Sequence, residues 1–212
     1  TTITTTFPDT TKPNPSRPLY FAYGSNLSAV QMRMRCTNNP ALSGNPVAIG
    51  RLEGWRWIIC EAGYANVLPP RELRVEEQVK ATTVDDGCKV WGVLYEMAPE
   101  DEFLLDGYEN VDHSSGLASI DLGGVRPREQ GEGHYNKWYL PATITMWLDG
   151  EQEKARGGGG KEIVLVYVDE KRVRMGPPKE EYVGRMNRAI REAEELGVDR
   201  VWVRDVMRRF IP

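Results

Sequence analysis

Apolar and polar positions along the chain divide it into strands first and helices last. Leu19 to Tyr23 form an apolar, aromatic run that reads as a buried strand. Gly24, Ser25 and Asn26 punctuate it, and Val30 and Met34 continue with helical spacing. The pattern therefore predicts strand, tight turn and helix in that order. Val47 to Ile59, Tyr64 to Leu68 and Val90 to Met97 are rich in β-branched and aromatic residues and are separated by Gly, Pro and charged segments, so each is predicted as a strand. Pro99 followed by Glu100, Asp101 and Glu102 has the form of an acidic first helical turn. Phe103, Leu104 and Leu105 offer an apolar face, Gly107 a stop, and Glu109 then falls just past a short helix.

Further strands are predicted at Leu117 to Leu122, Tyr139 to Leu148 and Ile163 to Val168. The last two are joined by Glu151 to Lys161, whose four consecutive glycines read as a mobile hairpin tip. Beyond Pro177 and Pro178, helical periodicity places Tyr182, Met186, Ala189, Ile190 and Ala193 on one side, with Gly197 as the stop. A final helix runs through Val206 and Phe210. Residues 1–17 are Thr- and Pro-rich with little apolar material and read as a floppy tail; residues 18–212 read as a single domain. The start at Thr1 suggests that an initiator methionine is absent. The order of elements predicts an α+β fold around a small, mixed, mostly antiparallel barrel-like sheet with flanking helices.

Composition narrows the function classes. In 212 residues, 40% hydrophobic content suffices for a substantial core, and 27 Lys plus Arg against 31 Asp plus Glu leave a net charge of −4. That balance is too mild to draw the protein to nucleic acid or an anionic membrane, so small molecules or a second copy of the chain are the expected partners. Cys36, Cys60 and Cys88 are odd in number and widely spaced, which fits neither a disulfide framework nor a metal clip. No apolar run approaches the roughly 18 residues of a membrane span, and the first residues lack a signal or transit pattern. A cytoplasmic location is expected.

Most familiar chemistries are excluded or demoted. The glycine run before Lys161 lacks the Walker pattern, with Ala155 and Glu162 at positions that pattern reserves for Gly and Ser or Thr. Ser25 lacks the second glycine of a nucleophile elbow. His113 and His134, the two imidazoles in the sequence, lie in polar stretches that read as surface loop. Without a Cys/His cluster no metal is expected. The chemistry should rest on carboxylates, backbone dipoles and ordinary polar side chains. A glycine and two small polar residues at a strand-to-helix turn can aim backbone N–H groups at one point, a receptor for carboxylate or phosphate.

The run Leu19-Tyr20-Phe21-Ala22-Tyr23-Gly24-Ser25-Asn26-Leu27 resembles the signature opening of the γ-glutamyl cyclotransferase family. The resemblance continues at Val90-Trp91-Gly92-Val93 and at Leu105-Asp106-Gly107-Tyr108-Glu109-Asn110-Val111. It is fainter at Tyr167 and at Pro177 to Tyr182, and it spans most of residues 18–195. It implies a mixed barrel with flanking helices, often a homodimer. It further implies cofactor-independent release of 5-oxoproline and a free amine from a γ-glutamyl amino acid or amine. It assigns substrate binding to Tyr20, Phe21, Ala22, Tyr23, Gly24, Ser25, Asn26 and Tyr182, and general acid–base catalysis to Glu109. Asp112 to Leu117 carries no aromatic residue where many members place a tyrosine, which leaves the leaving-group pocket unassigned, and Gly123 to Lys137 reads as an insertion. Asn26 fits the general branch better than the glutathione-specific one. Glutathione, a γ-glutamylated natural-product intermediate, or a non-catalytic binding role are the alternatives.

Overall fold

The computed structural model describes residues 13–75, 88–118 and 124–212. Five strands close into a barrel in the order β1 (Leu19–Ala22), β5 (Lys89–Tyr95), β2 (Pro46–Glu53), β6 (Asn136–Trp147) and β7 (Lys161–Val168). All neighbours are antiparallel except β1 and β7, which run parallel with Leu19 opposite Val164 and Tyr20 opposite Leu165. Strands β3 (Arg56–Ile59) and β4 (Ala65–Leu68) form a separate antiparallel hairpin. The α+β barrel predicted from the sequence is thus the observed architecture.

The helices are α1 (Ala29–Arg35), α2 (Pro40–Ser43), α3 (Pro99–Tyr108), α4 (Gly150–Ala155), α5 (Glu180–Leu196) and α6 (Arg200–Asp205). Helix α5 buries Tyr182, Met186, Ala189, Ile190 and Ala193, the stripe its periodicity predicts, and packs this face on the Ser25–Leu27 turn. It stops at Gly197, which has φ 112°, a left-handed conformation that side chains on Cβ disfavour. Helix α3 starts with Pro99 and is tied down by Asp101. This fully buried carboxylate accepts hydrogen bonds from the Asn38 and Asn39 N–H groups (2.8 and 2.9 Å) and the Ser43 hydroxyl (2.8 Å). That anchor fixes the helix whose C-terminal cap is Glu109.

Several boundaries differ from expectation, each for a local reason. The predicted Val47–Ile59 strand is two strands, because Gly54 at φ 77° turns the chain between β2 and β3. Phe103, Leu104 and Leu105 do not share one apolar face. Consecutive helical residues are about 100° apart, so Leu105 is buried while Phe103 is exposed and stacks on His113. The helix also passes Gly107 and ends after Tyr108, with Asn110 at φ 49° making the turn.

Of the predicted Leu117–Leu122 strand, Leu117 makes a single antiparallel bridge to Arg128, and residues 119–122 lie outside the described residues. The connection expected as a hairpin tip begins with α4, capped by Asp149, and only its glycines are a plain turn. The final helix is shorter than expected, α6 giving way to a 3-10 turn at Met207–Arg209.

The stretch 13–17, expected to belong to the tail, is held to the barrel. The Asn14 N–H donates to Glu96 (2.8 Å), Arg17 pairs with Glu102 (2.7 Å), and the buried Arg156 guanidinium donates to the Asn14 and Arg17 carbonyls. Residues 1–12 lie outside the described residues. Cys36, Cys60 and Cys88 are free thiols, and among the described residues no helix is long and apolar enough to cross a membrane.

Candidate active site

Strand β1 and the turn that follows it lead into a cavity of about 560 Å³, within the range of small-molecule sites, to which the strand itself contributes Tyr20. After β1 the chain makes a 3-10 turn at Ser25–Leu27 and then enters α1, whose N-cap Ser28 accepts from the Gln31 N–H at 3.2 Å. Tyr20, Tyr23, Gly24, Ser25 and Asn26 line the cavity together with Glu109 and Tyr182. Phe21 and Ala22 do not. Alternation along the strand turns Phe21 away from Tyr20, and its ring fills the space over Gly92; Ala22 is fully buried.

The turn is built by side chains as much as by backbone. Gln31 Nε2 donates to Ser25 Oγ at 2.6 Å and to Asn26 Oδ1 at 3.0 Å. Asn26 Nδ2 donates to the Tyr20 hydroxyl at 2.9 Å and reaches Glu109 Oε1 at 3.4 Å. From α5, the Tyr182 hydroxyl accepts the Ser25 N–H at 3.2 Å. Space rather than φ is tight at Gly24: a Cβ there would stand 3.0 Å from the Tyr182 oxygen and 3.2 Å from Ala65 Cβ, so these neighbours would have to give way. Tyr23 is anchored at both ends of its residue: its hydroxyl donates to the Tyr167 carbonyl at 2.6 Å and its own carbonyl accepts from Trp57 Nε1 at 2.9 Å.

Glu109 reaches the cavity from the end of α3. Its Oε1 lies 3.1 Å from Arg35 Nη1, which also donates to Asn26 Oδ1 at 3.0 Å, and its side chain is 16% accessible. Burial is the leading influence on its acidity and pushes the carboxyl above the usual range, while Arg35, the Asn26 amide and the more distant Arg185 oppose it. A carboxylate with a raised proton affinity, still paired to a guanidinium, is suited both to take and to return a proton.

Around it stands a set of phenols. Burial holds the hydroxyls of Tyr20, Tyr23, Tyr135 and Tyr167 well above the ordinary phenol range, and Tyr182 is pushed up to about 12. All five therefore stay protonated at neutral pH as hydrogen-bond donors. Tyr167 is held from behind by Asp106, whose carboxylate accepts its hydroxyl at 2.6 Å.

Several lining residues carry no signal that the sequence pattern alone makes visible. Arg35 sits in the last turn of α1, where a cation reads as a complement to the helix dipole. Tyr64 precedes β4, and Lys179 and Arg185 flank and belong to α5. Tyr135 falls within the stretch read as an insertion, yet it immediately precedes β6, and its hydroxyl donates to the Ala65 carbonyl at 2.8 Å beside the cavity. It places an aromatic residue in the lining, to which none of Asp112 to Leu117 contributes. His134 also lines the cavity, whereas His113 stays outside it, 3.3 Å from Asp106. Among the described residues no cluster of His, Cys, Asp and Glu is arranged to hold a metal ion.

Solved structures share this architecture. A structure described as γ-glutamyl cyclotransferase matches over 89% of this chain and 85% of its own, with a TM-score of 0.55 and 17% identity. YkqA from Bacillus subtilis matches over 92% of this chain, with a TM-score of 0.57 and 16% identity, and this chain covers 54% of it. An uncharacterized protein from Homo sapiens matches over 88% of this chain and 84% of its own, with a TM-score of 0.51 and 18% identity. No protein-family model and no curated protein matches the sequence. The chain has the γ-glutamyl cyclotransferase-like fold.

Proposed function

We propose that the chain is a γ-glutamyl cyclotransferase, converting a γ-glutamyl amino acid or amine to 5-oxoproline and the free amine. The observation that carries this reading is the meeting of Glu109, at the end of α3, with the Tyr23–Asn26 turn, at the end of β1, in one cavity through the Asn26 amide. The sequence resemblance and the shared fold point the same way.

The reaction needs the substrate's α-ammonium to lose a proton and its nitrogen to attack the γ-carbonyl carbon, closing a five-membered ring. The bond from that carbon to the departing nitrogen then breaks, and the departing nitrogen gains a proton. In the proposed mechanism Glu109 takes the first proton and delivers it to the departing nitrogen; the second proton, which the attacking nitrogen sheds once it has bonded to the carbonyl carbon, ends on the freed amine, which leaves as an ammonium, so atoms and charge balance without a cofactor. The Gly24-Ser25-Asn26 turn holds the glutamyl carboxylate so that the chain is folded for attack, which supplies the proximity that ring closure needs. The Tyr20 hydroxyl, already accepting from Asn26, has its own proton free to stabilise the developing oxyanion, and Tyr182 orients the turn through Ser25. Phe21 and Ala22 act from behind the wall by packing.

The test is 5-oxoproline release from a panel of γ-glutamyl dipeptides, γ-glutamyl amines and glutathione, with wild type beside Glu109→Gln. Release that falls at least about 100-fold in the variant supports both the reaction and its base. Unchanged release removes Glu109 from that role, and no release from any donor rejects the activity.

A further inference from the structure

The cavity lining carries four cations, Arg35, Arg172, Lys179 and Arg185, against the carboxylates of Glu61 and Glu109. Most of these charges are already matched. Arg35 meets Glu109 at 3.1 Å, Arg185 meets Glu181 at 2.8 Å, and Arg172 is bound by Asp169 and by the His134 carbonyl. Glu61 accepts the Arg174 backbone N–H at 2.8 Å. Among the described residues, Lys179 is the lining cation with no carboxylate in ion-pair contact; the Glu181 carboxylate, held by Arg185 and the Tyr64 hydroxyl, feels its charge only at longer range.

Its ammonium is nonetheless held in a defined place. The Lys179 backbone N–H donates to the Gly63 carbonyl at 3.1 Å. Gly63 lies at φ 84°, and a Cβ there would come within 2.7 Å of Lys179 Cγ, so the lysine stem crosses the glycine closely. Nζ sits 4.8 Å from the centre of the Tyr64 ring, a cation–π contact that leaves ammonium N–H groups free to donate. The Tyr64 ring meets Tyr182 edge-on at 5.1 Å, and Tyr182 touches the Ser25 turn. One continuous wall thus leads from the glutamyl cradle through two tyrosines to a positive charge that no carboxylate touches.

Resting on the cyclotransferase reading, we infer that Lys179 is the receptor for a carboxylate on the departing half of the substrate. γ-Glutamyl amino acids and peptides are then preferred over γ-glutamyl amines that lack this group. The ammonium is pre-positioned by Gly63 and Tyr64, so little side-chain freedom is lost when the carboxylate arrives.

The decisive pair of donors is γ-glutamyl-alanine and γ-glutamyl-ethylamide, which differ only by the carboxylate. In wild type the kcat/KM ratio should favour the alanine compound by about tenfold or more, the effect of one charge-assisted contact. The ratio should fall toward one in Lys179→Met and recover in part in Lys179→Arg. Equal kcat/KM for the two donors in wild type, or a ratio unchanged in Lys179→Met, overturns the inference. Calorimetric binding of both compounds to Glu109→Gln reads the same subsite without turnover. Tighter binding of the alanine compound that disappears with Lys179→Met upholds the subsite even where no 5-oxoproline forms and the activity fails. Equal binding, or none by either compound, overturns it.

Discussion

Arg35 Nη1 stands 3.1 Å from Glu109 Oε1 and 3.0 Å from Asn26 Oδ1, so a single guanidinium nitrogen fixes both the candidate base and the turn beside it. Burial and this guanidinium pull the carboxyl in opposite directions, and burial prevails. In Arg35→Gln the largest opposing influence is gone, and Glu109 should keep its proton to higher pH. Since a base must be ionised to act, the acid limb of the kcat/KM profile should move to higher pH. A limb that stays in place while only the rate falls would assign Arg35 to positioning alone.

The same raised proton affinity bears on stability. A carboxyl whose folded pKa lies above its unfolded one contributes stability that is complete below the ordinary carboxyl range and is lost as pH rises through the folded value. Glu109→Gln cannot ionise and escapes this loss. Its Tm relative to wild type should therefore climb as pH rises above the ordinary carboxyl range. A difference that is flat or falls over this window would mean that the pairing with Arg35 outweighs burial.

Tyr182 and Gly24 should behave as one unit. Tyr182→Phe removes the oxygen that accepts the Ser25 N–H, a loss of about 1–2 kcal/mol in stability with a roughly tenfold or greater fall in kcat/KM. Gly24→Ala drives a methyl against that same oxygen and Ala65. Combining the two replacements should cost less than the sum of the separate losses, because the phenylalanine has already relieved part of the conflict. Additive losses in kinetics and thermal melting would separate the two residues.

Gly92 tests the barrel rather than the site. A Cβ at this position would lie 2.5 Å from two atoms of the Phe21 ring and 2.7 Å from the Ala22 carbonyl. Gly92→Ala should destabilise by about 1–3 kcal/mol or more through overpacking. Paired with Phe21→Leu, which vacates part of the ring's volume, some of this should be regained. Chemical denaturation of the single and double variants measures both.

The strand-turn-helix at Leu19 to Arg35 is legible in the sequence because its signals are local: an apolar run, a glycine with two small polar residues, then helical spacing. Glu109 is legible as a residue just beyond a helix opened by Pro99. The stripe on α5 is equally plain. What stays hidden depends on long-range pairing. Strand neighbours in the barrel are mostly non-consecutive, so nothing near Tyr135 in the chain tells that the start of β6 faces the turn after β1, and at the start of α5 the resemblance marks Tyr182 but gives Lys179 no role. Arg35 looks like a helix-end cation, and its second role emerges only when α3 brings Glu109 alongside. Three adjacent apolar residues at 103–105 invite a single face, but helical geometry spreads them around the axis and leaves Phe103 outside.

The parallel pairing of β1 with β7 also has a consequence for how the molecule is made. Tyr23 and Tyr167, joined by a hydrogen bond, are 144 residues apart, and β1 cannot complete its ladder until the seventh strand has been synthesised. Contacts this distant in sequence come at a high loop-closure entropy and slow folding. The turn that shapes the cavity rests on this last seam and on α5, which follows it. Recovery of ligand binding during refolding should therefore lag behind hairpin formation and coincide with global folding, making occupancy of the cavity a reporter of a finished chain.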